Sequence, residues 1–226
     1  MTDFFVIGTP IGNMEDITLR AVRILSEVDL ILCEDTRVTK NLLNKYSISK
    51  PTMSYHSQSK LSKIDYIISL LKEGKNLALV SDAGTPTISD PGSLLVSHIL
   101  KEAPEVKIIT IPGPSALVSA LSISGFPSSD FLFLGFLPHK KGRETLFKEI
   151  ANSERTVVFY ESPHRIMKTL DSLKKHLPER KIMIARELTK IYEETAFGIP
   201  EEVEKYFVDN KDKVRGEFVV VISPKK

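Results

Sequence analysis

Tryptophan is absent and cysteine occurs once. One cysteine excludes an internal disulfide and fits a reducing compartment. Cys33 ends the apolar run Leu30-Ile31-Leu32, so it is expected as a small buried residue and not as a nucleophile. No apolar run approaches the roughly 20 residues of a membrane helix. The first residues, Met1-Thr-Asp-Phe-Phe-Val, pass directly into a strand pattern with no basic, apolar, cleavable leader, so a cytoplasmic location is expected. An excess of either charge is also missing: 31 Lys and Arg stand against 29 Asp and Glu. Any surface for nucleic acid must therefore be local. Five histidines and the lone cysteine show no metal-ligand spacing, so no metal site is expected. Neither the G-x-G-x-x-G fingerprint nor the G-x-x-x-x-G-K-[ST] phosphate loop occurs, and low-complexity segments and internal repeats are lacking.

What is present is alternation. Apolar runs at Phe4–Gly8, Leu30–Cys33, Thr52–His56, Leu77–Ser81 and Val106–Ile111 read as strands. Helical stripes follow them: Ile17, Ala21, Ile24, Leu25 and Val28; then Val38, Leu42 and Leu43; then Ile64, Ile67, Ile68 and Leu71, ended by Gly74; then Leu94, Leu95, Ile99 and Leu100; then Pro114–Ser124. Strand–helix alternation predicts an α/β fold with a mostly parallel sheet covered on both faces. Composition shifts at Ser124-Gly-Phe-Pro-Ser-Ser129, a linker pattern. Beyond it, strands at Phe131–Leu137, Thr156–Tyr160, Lys181–Ala185 and Phe218–Ile222 mix with helices at Ile166–Leu177 and Pro200–Phe207, which predicts a second α/β domain with a mixed sheet. The expected domains are residues 1–114 and 115–226.

Three loops follow strands of the first half: Gly8-Thr-Pro-Ile-Gly-Asn13, Ser81-Asp-Ala-Gly-Thr-Pro86 and Pro112-Gly-Pro-Ser-Ala116. All three lie at carboxyl ends of predicted strands, on one sheet edge, where small molecules are commonly bound. Gly84 allows close approach of a ligand to the main chain. Asp90-Pro91 reads as a helix start, with a carboxylate cap before proline at the first helical position. The loops carry few basic side chains, which argues against a polyphosphate and suits a ligand with adenosine and amino-acid parts.

These loops, with Glu34-Asp-Thr-Arg37, Phe159-Tyr-Glu-Ser-Pro-His-Arg165 and Arg186-Glu-Leu-Thr-Lys190, cover nearly the whole chain. The set resembles the tetrapyrrole-methylase superfamily of S-adenosylmethionine-dependent methyltransferases, and within it the ribosomal RNA small subunit methyltransferase I subfamily. The resemblance implies two α/β domains with the cofactor in the cleft between them, and a homodimer. It also implies S-adenosylmethionine as cofactor and 2′-O-methylation of a cytidine ribose in the decoding region of 16S rRNA. Cofactor contacts carried over by motif are Pro10, Ile11, Asp82, Ala83, Gly84, Thr85, Ser115 and Ala116, then Glu161, Arg186 and Glu217. Longer members carry a further helical C-terminal segment beyond the position of Ile222.

A ribose hydroxyl is a poor nucleophile near neutral pH, so a positioned base would help. The candidates are Glu34, Asp35, Glu187 and Lys190; Asp35 next to Arg37 equally suits an ion pair that shapes the pocket, Glu34-Asp-Thr-Arg37 equally suits a helix start capped by Asp35 or Thr36, and Lys190 would need a depressed pKa. Candidate RNA contacts are Arg37, His56 (beside Tyr55, which suits stacking or packing), Lys140 and Arg143 in the basic stretch His139–Arg143, and Arg165. Against each basic residue stands the plain reading of a solvated loop. Two other readings remain open: a methylase of precorrin-type rings or another small molecule, and a non-catalytic module that binds S-adenosylmethionine or RNA.

Overall fold

The computed structural model describes residues 2–225 apart from 57–58 and 90–91. Two compact units result, Met1–Ser115 and Ala116–Lys226.

The first unit carries β1 (Asp3–Ile7), α1 (Leu19–Glu27), β2 (Leu30–Cys33), α2 (Thr36–Lys45), β3 (Thr52–Ser54), α3 (Leu61–Lys72), β4 (Leu77–Val80), α4 (Ser93–Glu102) and β5 (Lys107–Ile111). Its sheet runs β3-β2-β4-β1-β5, and every pairing is parallel. The strands are apolar on both faces because both are covered. Phe4, Leu32, Leu77 and Leu79 meet Ile64, Ile67, Leu95 and Ile99 from α3 and α4. The alternate residues Phe5, Ile7, Ile31, Cys33, Ala78 and Val80 meet Ala21, Ile24, Leu25 and Leu43 from α1 and α2. Cys33 is fully buried, and burial raises its thiol pKa, so it packs as expected. Tyr55 is also core, 2% exposed, which removes it from any stacking role.

The expected start of α4 at Asp90-Pro91 falls outside the described residues. The helix begins at Ser93, after Gly92, with no side-chain cap. At α2 the cap is Asp35, whose carboxylate accepts the Arg37 N–H.

The second unit carries α5 (Ala116–Ser124), β6 (Phe131–Phe136), α6 (Arg143–Asn152), β7 (Thr156–Glu161), α7 (Ile166–His176), β8 (Ile182–Arg186), β9 (Glu194–Gly198), α8 (Pro200–Asp209) and β10 (Phe218–Ile222). Its sheet runs β6-β7-β10-β8-β9; only β6–β7 is parallel. Phe147, Ile166, Leu170, Leu173, Val203 and Phe207 from α6, α7 and α8 pack on one face, against Phe159, Ile184, Phe218 and Val220. The stretch Ser124–Ser129 does not separate the units. It lies inside the second one, because α5 before it packs on β7 and β10.

Two elements were not anticipated. The basic stretch read as a loop runs into α6, whose first residue is Arg143. Strand β9 pairs antiparallel with β8 and gives the short edge of the sheet. Pro163 lies ahead of α7, where the Ser162 carbonyl accepts the N–H groups of Arg165 and Ile166, both at 3.0 Å.

Candidate functional site

In the first unit the parallel strands bring the loops after β1, β4 and β5 to one edge, and β1 lies between the other two. They lock together through the main chain. Thr9 and Gly84 exchange N–H···O bonds of 2.9 and 3.1 Å. The buried Thr9 hydroxyl donates to the Ser81 carbonyl at 3.1 Å, and the Ser81 hydroxyl donates to the Ala83 carbonyl at 3.0 Å. The Gly8 N–H reaches the Ile111 carbonyl at 3.0 Å. A β-carbon on Gly8 would lie 2.8 Å from the Gly113 backbone, so the two glycines permit the contact between loops. Gly84 has φ of +81°, and a β-carbon there would sit 3.4 Å from the Ile11 side chain and 3.6 Å from the Pro114 carbonyl.

The structure thus brings Pro10, Ile11, Asp82, Ala83, Gly84, Thr85 and Ser115 into one cluster of loops. Pro10, Ile11 and Gly84 are buried, whereas Asp82 and Ala83 are exposed. Asp82 Oδ1 accepts the Asp35 N–H at 3.1 Å, which ties in the loop after β2. Ala116 opens α5 in the second unit. The loops 8–13, 81–87 and 112–116 contain no basic residue. Such a surface cannot neutralise a polyphosphate, but it fits S-adenosylmethionine: apolar backing from Pro10 and Ile11, and an acidic acceptor in Asp82.

In the second unit the strand directions place the ends of β7 and β8 beside the starts of β9 and β10, since Phe218 pairs with Glu161 and Arg186, and Arg186 with Glu194. Here several of the expected site residues are engaged within the protein. Glu161 is 1% exposed, and its carboxylate is occupied within the protein. It accepts the Ser162 N–H at 2.9 Å and the Thr169 hydroxyl at 2.6 Å, and pairs with Arg165 at 2.6 Å and Arg143 at 3.9 Å. Its side chain is a structural hub. Arg143 and Arg165, expected at RNA, are engaged within the protein. Arg143 is buried, donates to Thr169 at 2.7 Å and to the Pro138 carbonyl, and burial lowers its pKa. Arg165 holds the Leu137 carbonyl at 2.8 Å. Arg186 is likewise buried, donating to the carbonyls of Arg215 at 3.2 Å and Tyr192 at 3.1 Å. The Lys140 and His56 side chains do remain exposed, and so does that of Arg37, which pairs with Asp35.

The base candidates fare poorly. Hydrogen bonds from the Arg37 side chain and backbone hold Asp35 down to about 2. Lys190 donates to Glu187 and Glu217, each at 2.9 Å. Burial pushes Lys190 down and Glu187 up, yet their pairing outweighs it: Lys190 ends raised and Glu187 lowered. Both shifts are opposite to what a proton acceptor near neutrality needs. The Glu217 N–H donates to the Glu187 carboxylate at 3.0 Å, and its carbonyl accepts the Glu187 N–H at 3.0 Å. Glu217 is thus tied to Glu187 through its main chain, while its exposed carboxylate pairs with Lys190. Glu34 lies half-buried at the end of β2. Among the described residues, no group of three or more His, Cys, Asp or Glu is placed to hold a metal ion.

Residues 3–203 match the family described as Tetrapyrrole (Corrin/Porphyrin) Methylases. The chain belongs to this family. Among curated relatives, it is 49% identical to the ribosomal RNA small subunit methyltransferase I of Thermotoga maritima, over the full length of both chains. It is 44% identical to the protein of the same name from Borrelia garinii subsp. bavariensis, covering 97% of each chain. Among solved structures of the tetrapyrrole methylase fold, the methyltransferase CobJ aligns with a TM-score of 0.71 at 19% identity, covering 99% of this chain and 95% of that one. Uroporphyrin-III C-methyltransferase from Thermus thermophilus, solved with S-adenosylhomocysteine, aligns at 0.64 and 17% identity, covering 99% and 97%.

Proposed function

We propose that this chain is an S-adenosylmethionine-dependent methyltransferase acting on the RNA of the small ribosomal subunit, and that it methylates the ribose 2′-hydroxyl of a cytidine in the 16S decoding region. The observation that carries this reading is the 49% identity, end to end, to a relative named for small-subunit rRNA methylation. Likeness to the uroporphyrin methylase, at 17% identity, extends to the fold alone.

The cofactor supplies a methyl group already activated on a sulfonium. The first unit's loops hold it: Pro10 and Ile11 give apolar backing, Gly84 exposes main chain, and Asp82 offers a carboxylate. Asp35, Glu187 and Lys190 are not tuned to accept a proton near neutral pH, so alignment of the hydroxyl carries the rate more than a tuned base does. Of the basic residues expected at RNA from the sequence, Arg37, His56 and Lys140 are exposed, and Arg37 and Lys140 meet it through phosphates. The family resemblance supports a cytoplasmic homodimer.

Incubating the protein with labelled cofactor and undermethylated 30S subunits tests the reading. Label in 16S rRNA is expected. Label accepted only by a precorrin-type ring would replace this reading with small-molecule methylation, and binding without turnover would make the chain a non-catalytic module.

A further inference from the structure

The connection between β8 and β9 presents the most exposed adjacent pair of large apolar side chains among the described residues, Ile191 at 95% and Tyr192 at 71% exposure. Its path is closely fixed. The Lys190 N–H bonds to the Glu187 carbonyl and the Glu193 N–H to the Lys190 carbonyl, both at 3.0 Å. Glu187 and Thr189 sit in the left-handed region, with φ of 51° and 66°, although neither is glycine. Leu188 between them is buried. Local strain of this kind persists only where surrounding structure enforces it, and it gathers at functional sites. Here it leaves an aromatic and an aliphatic side chain in solvent on a rigid support.

A basic segment runs beside the Tyr192 backbone. One buried guanidinium, that of Arg186, holds the carbonyls of both Tyr192 and Arg215, so the two backbones lie side by side. Residues 211–215 carry three basic side chains against one acid, and Lys211 and Arg215 are exposed. Neighbouring carboxylates are engaged: Glu187 and Glu217 by Lys190, Glu194 by Lys213 and Arg186, and Glu193 by the Thr189 N–H. An exposed aromatic side chain on a fixed backbone, with exposed cations on the neighbouring segment, is an arrangement that binds unpaired nucleotides, the ring stacking on a base and the cations meeting phosphates.

We propose that Tyr192, flanked by Ile191, is a stacking platform for an unpaired base of the RNA substrate, with Arg215 and Lys211 meeting the adjoining phosphates. This rests on the rRNA reading above. The absence of tryptophan gives a direct test, because Tyr192→Trp places a single indole at the platform. Titration with a decoding-region rRNA fragment is expected to quench its fluorescence to saturation. Tyr192→Ala is expected to raise KM for 30S subunits roughly 5- to 100-fold, as loss of one stacked base does. Tyr192→Phe should restore KM to within about twofold, because the ring and not the hydroxyl carries the stacking. S-adenosylmethionine affinity should not change in any of the three. An unchanged KM in Tyr192→Ala would overturn the proposal. So would an indole signal that ignores RNA but follows protein concentration, which would assign the loop to contact between copies. If the unsubstituted protein methylates no rRNA, the functional reading fails, and the indole titration still decides the proposal.

Discussion

Gly84 shows how a single backbone position shapes the candidate cofactor surface. With φ at +81°, it occupies a region that β-branched residues avoid, so a side chain there is strained even though a β-carbon would meet Ile11 and Pro114 at ordinary contact distance. Gly84→Val should abolish S-adenosylmethionine binding measured by calorimetry, while circular dichroism still reports a folded protein. Unchanged affinity would place the cofactor elsewhere. At Glu161 the physics is electrostatic. Removing its carboxylate takes the ion-pair partner from buried Arg143 and largely buried Arg165, and breaking a buried pair from one side costs about 3–5 kcal/mol. Urea unfolding of Glu161→Ala should show a loss of that order. A loss below about 1 kcal/mol would mean that water reaches the cluster and compensates for the missing charge. These arginines also mark what the sequence hides. A basic residue beside a flexible, charged stretch reads as solvated. Arg143 is buried because Thr169 and Glu161, on distant elements, supply its partners, and periodicity carries no trace of that meeting.

The loop after β8 is an element held by charge. Glu187 has a lowered pKa, so its contribution is complete above its ordinary 4.5 and is lost as pH falls through the lowered folded value. Lys190 has a raised pKa, so its contribution is complete below its ordinary 10.5 and is lost as pH rises through the raised one. The latch should therefore hold across neutral pH and open at both extremes. Amide exchange at residues 187–193, corrected for the intrinsic pH dependence of exchange, should accelerate in acid below 4.5. Lys190→Met should be fast throughout. Protection of the native loop that does not vary from pH 3 to 7 would show that the ion pairs are not what holds it. Elements with strong patterns were legible: the β1, β2, β4 and β10 runs, the stripes of α1 and α3, and the Asp35 cap of α2. Strand β9 was not, because five residues that alternate at a sheet edge look like a charged loop. Nor was α6, whose start lacks a side-chain cap and follows a run of basic residues.

For the whole molecule, strand–helix alternation predicted parallel pairing in the first half and mixed pairing in the second, and both are present. It could not predict strand order. Insertion of β4 between β2 and β1 brings Ser81–Thr85 against Thr9, and only long-range pairing decides that. The candidate cofactor loops were legible because glycine and proline at strand ends are local signals. The fate of Arg143, Arg165, Arg186 and Lys190 was not, since each is set by partners far along the chain or by a fold-dependent turn. Membership of the methylase family and the end-to-end likeness to small-subunit rRNA methyltransferases converge on one central claim. The most direct test treats 30S subunits from cells lacking this gene with purified protein and S-adenosylmethionine, then maps modified nucleosides in 16S rRNA by mass spectrometry. The account predicts one added methyl on the 2′-oxygen of a decoding-region cytidine. A methyl on a base, a methyl outside the decoding region, or no added methyl would contradict it.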